Sequence, residues 1–319
     1  MMFGSNTLGN GWVLPADDAA ITAAMELLRS GQIVAIPTET VYGLAADASN
    51  ADAVAKIYAA KGRPDFNPLI VHVADQSAAE SLADFSPMAH QLAQAFWPGP
   101  LTLVLPLRAD ADIAGAVTAG LPTIALRCPA HPVMQALLKK TGLNIAAPSA
   151  NKSGGISPTR AEHVLAGLGG AVPMILDGGP CSAGLESTIV AVREHGWQIL
   201  RPGPVTAADI ERVLGTSPLK ASGDNIEAPG QLASHYAPSK IVRLNAIQQE
   251  PGEWHIGFGA IEGNDNLSAS GDLAQAAANL FDALHRADAS AALSISVAPI
   301  PHEGIGVAIN DRLQRASIR

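Results

Sequence analysis

Two short apolar runs separated by one helical pattern constrain the fold of this chain most strongly. Residues 32–36 (QIVAI) and 69–73 (LIVHV) are rich in β-branched side chains and have Pro or Gly nearby, so each predicts a buried strand. Between them, residues 50–61 carry apolar side chains at helical spacing, with Asn50 as the N-cap and Gly62 as the stop. Strands that alternate with helices indicate an α/β fold.

The same alternation continues along the chain and then restarts. Further helices are predicted at residues 17–30, 77–85, 87–97, 131–140 and 206–214, and further strands at 101–107, 123–127, 174–177 and, as a hairpin, 187–192 with 198–200. Residues 215–239 have the Pro, Gly and Ser content of a linker. From residue 241 a second strand and helix pattern predicts a small α/β domain with a mainly parallel sheet. The division expected is a tail (1–13), a large domain (14–215), a linker (216–240) and a C-terminal domain (241–319).

Composition excludes several classes of protein. The chain has 319 residues, of which 48% are hydrophobic and 15% charged, so it is neither disordered nor too short for a large core. No apolar run approaches the roughly 20 residues that span a bilayer, and the N-terminus does not resemble a signal peptide. Cys128 and Cys181 cannot form a CxxC pair or a four-ligand zinc set and give little reason to propose a disulfide framework, so a reducing cytoplasm is the expected location. The net charge of −9 argues against general binding to nucleic-acid backbones.

Polar residues interrupt the apolar pattern where strands end. Thr40 lies just after the strand at 32–36, His72 lies inside the strand at 69–73, and Arg127 ends the strand at 123–127. Ser149 and Asn151 alternate, so they share one face of an extended backbone. Taken singly, each has an ordinary structural explanation, such as a helix cap, a core histidine or an Asx turn. Their grouping favours an anion-binding site at strand ends.

Two glycine-rich segments bear on nucleotide binding. Residues 151–157 (NKSGGIS) precede a predicted helix, and such a loop can present N–H groups to phosphates. The sequence contains no GxxxxGK[ST] motif, which excludes a Walker-type site. The glycines at Gly257, Gly259 and Gly263 have the wrong spacing for a dinucleotide turn, so NAD binding is not expected.

Six motifs together resemble the YrdC-type threonylcarbamoyl-AMP synthases. They occur in the family's order, from about residue 31 to 204: PTETVYGLAADA, KGRPDFNPLIVHV, WPGPLTLVL, LRCPAHP, APSAN and ESTIV. The hallmark KxR and SxN pairs are present as Lys61, Arg63, Ser149 and Asn151. GQLASHYAP at 230–238 and the closing GIGVAINDRLQRAS are similar to the longer, two-domain form. The resemblance implies a twisted mixed sheet with flanking helices, joined by a long linker to a smaller Rossmann-like domain.

The resemblance also implies a reaction and a set of site residues. L-Threonine, bicarbonate and ATP would give threonylcarbamoyl-AMP, pyrophosphate and water, with Mg²⁺ carried by the ATP phosphates. The product would pass to a tRNA threonylcarbamoyl transferase complex. The threonine-binding residues implied are Thr40, His72, Arg127, Ala147 and Ser187. Those implied for ATP are Arg63, Asn67, Thr123, Ser149, Ser157, Arg201 and Tyr236, and Lys61 and Asn151 are assigned to the phosphate and bicarbonate region. No protein side chain is expected to bind a metal.

His72 is expected to orient threonine rather than to remove a proton from it. A His72→Ala variant with normal affinity for threonine would contradict this role. Ser234, His235 and Tyr236 belong to a linker motif whose Tyr reaches over the nucleotide in the family, so the linker is interpreted as a lid. The C-terminal domain is expected to gate the site, and deletion of residues 241–319 without loss of activity or ATP affinity would contradict this.

Two other functions fit parts of the sequence. A YrdC-like fold with a concave basic face would suit double-stranded RNA, which proteins recognise by shape and phosphate contacts. The acidic net charge disfavours this alternative, which is kept as the second hypothesis together with direct RNA contact. A carbamoyl-transfer maturation enzyme would need additional cysteine pairs and an acylphosphatase-like segment, which this sequence lacks.

Overall fold

The computed structural model describes residues 12–64, 66–219, 227–230 and 235–318, which form two α/β units. The strands of the larger unit are Trp12–Pro15 (β1), Val34–Ile36 (β2), Gly43–Asp47 (β3), Ile70–His72 (β4), Leu101–Pro106 (β5), Thr123–Arg127 (β6), Ile145–Ala146 (β7), Met174–Asp177 (β8), Thr188–Arg193 (β9) and Gly196–Arg201 (β10). Its helices are Asp18–Arg29 (α1), Ala51–Lys61 (α2), Gln76–Glu80 (α3), Pro87–Phe96 (α4), Gly115–Thr118 (α5), Pro132–Thr141 (α6), Ala161–Leu168 (α7) and Ala207–Leu214 (α8). The smaller unit contains Ile241–Arg243 (β11), Glu253–Gly257 (β12), Asp265–Asn266 (β13), Leu273–Ala289 (α9), Ser294–Val297 (β14) and Gly306–Ala316 (α10).

The two sheets differ in strand direction. Across the described residues, the large sheet has the order β1-β8-β2-β3-β7-β4-β6-β5-β9-β10 and mixes parallel with antiparallel pairs. The small sheet has the order β11-β14-β12-β13, and all of its pairs are parallel. The predicted fold class, a mixed sheet with flanking helices plus a smaller α/β domain, is confirmed.

Helix α2 begins and ends at the residues that the sequence indicates. The Asn50 side chain accepts a hydrogen bond from the N–H of Ala53 at 3.1 Å, which caps the first turn. Gly62 ends the helix in the left-handed conformation, with φ of 59°. Lys61 is therefore fixed in the last turn, where it is buried. No helix in the described ranges is long and apolar enough to cross a membrane.

Strands β1, β3 and β13 were not anticipated from the sequence. Trp12 and Val13, expected in the N-terminal tail, pair in β1 with β8 at the sheet edge. Trp12 is 53% exposed, so this edge strand lacks the pattern of buried residues by which a strand is recognised in a sequence. Strand β3 is built from Gly, Leu, Ala and Asp rather than β-branched residues, so its composition does not predict a strand. Space is limited at Gly43, where a Cβ would lie 3.2 Å from the Cβ of Ala147. The residues of the predicted tail before Trp12 lie outside the described ranges.

The two units share one apolar cluster. Ile156 and Leu185 of the larger unit are buried against the core around α9, which includes Leu280 and Phe281. The backbones approach closely at Gly184, where a Cβ would lie 2.4 Å from both the Cα and the carbonyl oxygen of Ala278 in α9. Gly184 also has φ of +67°, so both the close contacts and the backbone conformation disfavour a side chain at this position.

A Gly184→Ala substitution should weaken the docking of the smaller unit. The new methyl group meets helix backbone, which cannot move without displacing α9, so we expect a loss of more than about 3 kcal/mol in unfolding free energy. Gly179→Ala is the matched control, since Gly179 lies in the same loop with φ of +81° and has no atom within 4 Å of the position that a Cβ would take. The control should lose only about 1–2 kcal/mol from backbone strain. Equal losses in urea denaturation of the two variants would contradict the close packing at Gly184.

Candidate active site

A polar cavity lies beside the ends of β4 and β6, two parallel strands whose last residues are His72 and Arg127. Its lining includes nine of the residues implied by the family resemblance: Thr40, Arg63, His72, Arg127, Ala147, Ser149, Ser187, Arg201 and Tyr236. These residues come from separate segments of the chain, including the linker. The fold therefore gathers both the residues expected for threonine and several of those expected for ATP around one space.

Arg127 is held by three protein groups on one side of the cavity. Its Nη1 donates to Thr40 Oγ1 at 2.8 Å, its Nε donates to the carbonyl of Gly99 at 3.2 Å, and its Nη2 lies 2.6 Å from Glu39 Oε1. Burial is the largest influence on Glu39 and opposes its ionisation, but the charge of Arg127 and hydrogen bonds from Arg127 and the backbone together lower the pKa of that carboxyl group. Arg127 is thus a fixed cation that also orients the Thr40 hydroxyl.

His72 is a neutral imidazole in this environment. It is 3% exposed, and burial, reinforced by the charge of Arg127, lowers its pKa to about 3. Its Nδ1 has no hydrogen-bond partner among the described residues, although it is buried. A group with so low a pKa is a weak general base at neutral pH. This chemistry agrees with an orienting role.

Lys61 holds the backbone of the SxN turn. Its Nζ donates to the carbonyl oxygens of Ser149 and Asn151, both at 2.6 Å. Burial, and to a smaller extent the charge of Arg63, lower the pKa of Lys61 well below its usual value. The Asn151 side chain in turn donates to the carbonyl of Gly155 at 2.8 Å, within the glycine-rich loop. Lys61 and Asn151 therefore shape the turn that brings Ser149 into the cavity lining, while neither is itself part of that lining.

Two further guanidinium groups line the cavity. Arg63 donates to the carbonyls of Asn67 and Pro68 at 3.1 and 2.8 Å, and burial lowers its pKa to about 10. Arg201 donates from Nε and Nη2 to the Ser187 carbonyl at 3.1 and 2.9 Å, and burial also lowers its pKa. With Arg127, these residues give the cavity three cations, which suits a ligand with several negative charges.

The linker closes the cavity from the side of the smaller unit. His235 and Tyr236 are buried and contribute to the lining, and the N–H of Ala237 donates to the carbonyl of Gly154 at 2.8 Å. Tyr236 has φ of 63°, a conformation that is uncommon for a residue with a side chain. Gly230 approaches closely, since a Cβ there would lie 2.9 Å from the Tyr236 hydroxyl. Ser234, the first residue of the linker motif, lies outside the described residues.

Some residues implied for ATP lie outside the cavity lining: Asn67, Thr123 and Ser157. Thr123 begins β6, four residues before Arg127, which places it about 13 Å along the strand. Ser157 is buried behind the lining, where its hydroxyl donates to Glu186 Oε1. Asn67 contributes its carbonyl oxygen to Arg63.

Two buried carboxylates at the site were not singled out from the sequence. Glu39 pairs with Arg127, and Glu186, which lines the cavity, pairs with Arg312 of α10 at 2.8 Å. Both occur in quoted motifs, PTET and ESTIV, directly beside residues that received a role. The signal for them was an acidic residue next to a hydroxyl-bearing residue in a motif: Glu39 lies between Thr38 and Thr40, and Glu186 precedes Ser187.

Two buried histidines, His72 and His235, and the partly buried His285 should make the fold sensitive to acid. Burial is the main cause that lowers the pKa of His72 and His235 to about 3 and that of His285 to about 4. Below about pH 6.5 the unfolded chain binds protons that the folded chain does not, so the free energy of unfolding should fall as the pH drops towards 4. The slope is about 1.4 kcal/mol per pH unit for each histidine.

Urea denaturation at several pH values between about 7.5 and 4.5 would check this prediction. A His285→Gln variant should show a shallower dependence, because it removes one of the three groups while an amide can still donate to the Ser157 carbonyl that His285 contacts at 3.1 Å. A denaturation midpoint that stays constant between about pH 7.5 and 5 would contradict the prediction.

Comparisons with known proteins agree over nearly the whole chain. Residues 26–203 match the family model described as "Telomere recombination", and residues 205–317 match the model of the threonylcarbamoyl-AMP synthase C-terminal domain. The threonylcarbamoyl-AMP synthase of Bacillus subtilis is 43% identical over an alignment that covers 95% of this chain and 94% of that protein. The protein of the same name from Pyrococcus abyssi is 39% identical, with 93% and 94% covered.

A solved structure matches both units. The crystal structure of the Sua5 protein of Pyrococcus abyssi complexed with L-threonine covers 98% of this chain and is itself covered to 98%, with a TM-score of 0.87 and 36% sequence identity. The agreement extends across the linker and the smaller unit, since a match to the larger unit alone could not reach that coverage.

Proposed function

Because this chain belongs to the threonylcarbamoyl-AMP synthase family, we propose that it forms threonylcarbamoyl-AMP and pyrophosphate from L-threonine, bicarbonate and ATP. The product would supply the threonylcarbamoyl group for modification of a tRNA adenosine by a downstream transferase complex. The observation that carries the proposal is the cavity in which Arg63, Arg127 and Arg201 meet hydroxyl groups of Thr40 and Ser149.

The threonine half of the site would be the part around Arg127. Its guanidinium would bind the carboxylate of threonine, while the Thr40 hydroxyl and the neutral His72 orient the amino acid. A threonine amine that reacts with bicarbonate forms a carbamate, with loss of water. That step needs an uncharged amine held in a fixed direction more than it needs a protein nucleophile.

The ATP half would be the part around Arg63, Ser149 and Arg201. A carbamate oxygen would attack the α-phosphorus of ATP, the bond to the β-phosphate would break, and pyrophosphate would leave with its electron pair. Two buried cations suit the negative charge that develops on the phosphate oxygens. Magnesium would enter as the complex with ATP, coordinated largely by phosphate oxygens and water.

The lid would exclude water during this reaction. Tyr236 lines the cavity and is fully buried, so displacement of its side chain would open a path for substrates and products. Exclusion of water protects a mixed anhydride such as threonylcarbamoyl-AMP from hydrolysis. A cytoplasmic location and any direct contact with RNA stay predictions from the sequence.

Pyrophosphate release by the purified protein is the direct experiment. We expect release from Mg-ATP that depends on both L-threonine and bicarbonate, with the adenylate product identified by mass spectrometry. Serine, which lacks the methyl group of threonine, and valine, which has a methyl group in place of the hydroxyl group, serve as controls. Release that is independent of threonine, or no release at all, together with salt-sensitive binding of double-stranded RNA, would favour the alternative of an RNA-binding module.

A further inference from the structure

Arg312 is a buried cation of the smaller unit that contacts Glu186, a residue lining the active-site cavity. It belongs to α10, and its side chain is fully buried. Its Nε donates to Glu186 Oε2 at 2.8 Å, and its Nη1 donates to Asp311 Oδ2 at 2.7 Å. Burial of a guanidinium removes it from water, which is costly unless charged partners compensate. For Arg312 those partners are the carboxylates of Glu186 and Asp311.

Glu186 connects Arg312 to the cavity. The carboxylate lines the cavity, and its second oxygen, Oε1, accepts a hydrogen bond from Ser157. The next residue is Ser187, whose carbonyl and hydroxyl oxygens accept hydrogen bonds from Arg201. The orientation of Glu186 therefore affects Ser157 and the segment that holds Arg201.

Arg312 also contacts the lid directly. Its guanidinium carbon lies 5.1 Å from the centre of the Tyr236 ring, within the range of a cation–π contact. The ring centre of Phe281 in α9 lies 5.6 Å from that of Tyr236. These contacts from the smaller unit help to keep Tyr236 in its uncommon backbone conformation, which persists only where the surroundings enforce it.

We propose that Arg312 is a positioning residue that fixes the ATP half of the active site by holding Glu186 and the lid residue Tyr236 together. The inference rests on the proposed function for the assignment of Ser157, Arg201 and Tyr236 to ATP. The threonine half is organised differently, since Arg127 has its own carboxylate, Glu39, within the larger unit. The smaller unit thus affects the binding of ATP more than the binding of threonine.

Equilibrium binding separates this role from general stabilisation. We would measure the dissociation constants of Mg-ATP and of L-threonine by calorimetry for Arg312→Lys, Arg312→Met and the control Gln314→Met, which alters an exposed position of the same helix. The dissociation constant of Mg-ATP should rise roughly 3- to 30-fold in both Arg312 variants. The dissociation constant of threonine should rise less than that of Mg-ATP, because Ser187 is the one residue assigned to threonine that adjoins Glu186. The control should match the unsubstituted protein.

A double variant, Arg312→Met/Glu186→Gln, tests the same point when Arg312→Met alone is unstable. Removal of both charges should restore much of the thermal stability, because no unpaired charge is left buried, but it should not restore ATP affinity. Lysine in place of Arg312 keeps the charge and should retain stability better than methionine. Its compact ammonium group cannot donate a hydrogen bond to Glu186 and lie against the Tyr236 ring at the same time.

Each outcome distinguishes the inference from the function on which it rests. Unchanged ATP affinity in folded Arg312 variants, or an equal loss of affinity for both substrates, would overturn the inference. Binding needs no turnover, so an unsubstituted protein that binds Mg-ATP without forming threonylcarbamoyl-AMP would refute the proposed function alone. A protein that does not bind Mg-ATP would refute both.

Discussion

An Arg127→Met variant is expected to need at least about 30-fold more L-threonine than the unsubstituted protein for half-maximal pyrophosphate release. The substitution removes the cation proposed for the threonine carboxylate. It also releases the Thr40 hydroxyl, which now accepts a hydrogen bond from Arg127 at 2.8 Å. The half-saturating concentration of ATP should change much less, because Arg63 and Arg201 are untouched. Steady-state kinetics with each substrate varied in turn would measure both values.

The same substitution should also destabilise the fold, and the two effects can be separated. Without Arg127, Glu39 is a buried carboxylate with no cation beside it, which costs about 3–5 kcal/mol. A second substitution, Glu39→Gln, should recover much of that stability while the threonine requirement stays high. Arg108→Met is the control, since Arg108 pairs with Asp110 on the surface. Normal threonine saturation of the double variant would show that the carboxylate of threonine is bound elsewhere.

The elements around the site were predictable because local signals agree with the tertiary structure. Strand β6 has the predicted bounds, since TIALR is a β-branched and apolar run that is buried in the sheet. Helix α2 has a capping Asn50 and a terminating Gly62, and both act as the sequence indicates. Where propensity, capping and burial favour the same conformation, the sequence is sufficient.

Strand β3 and the site carboxylates depend on contacts between segments that are distant in sequence. Gly43 of β3 does not favour a strand by itself, and the limit on its size comes from Ala147, which lies far along the chain. Glu39 is explained by Arg127, and Glu186 by Arg312 in the last helix. An isolated acidic residue in a motif gives no sign of which cation it will meet, so pairing of this kind requires the folded structure.

The position of the lid was likewise beyond sequence reasoning. The linker composition indicated a flexible connection, and only the family resemblance suggested that Tyr236 covers the nucleotide. In the structure Tyr236 is fully buried, and it contacts Arg312 and Phe281 of the smaller unit. A residue on a Pro- and Gly-rich segment can thus be as constrained as a core residue when two units enclose it.

The second large effect is expected for Lys61→Met, which should lower the turnover number by about 100-fold at saturating substrates. The Lys61 ammonium holds the carbonyls of Ser149 and Asn151, both at 2.6 Å, so its loss lets the SxN turn move. Ser149 lies in the cavity lining while Lys61 does not, and the loss should therefore arise from misplacement of Ser149 and its neighbours. Displacements of about 1 Å are enough for an effect of this size.

Stability should change far less than activity in this variant, because two effects oppose each other. Loss of the ammonium leaves the buried carbonyl of Asn151 and the partly buried carbonyl of Ser149 without this donor, at up to about 1–3 kcal/mol each. It also removes a desolvated charge, whose cost is evident from the lowered pKa of Lys61. Lys56→Met is the matched control, since Lys56 lies on the same helix and donates to a single carbonyl, that of Gly31, away from the site. A folded Lys61→Met protein with turnover within about threefold of the control would show that the SxN turn keeps its geometry without the cation, and the hallmark lysine would then have no positioning role in this chain.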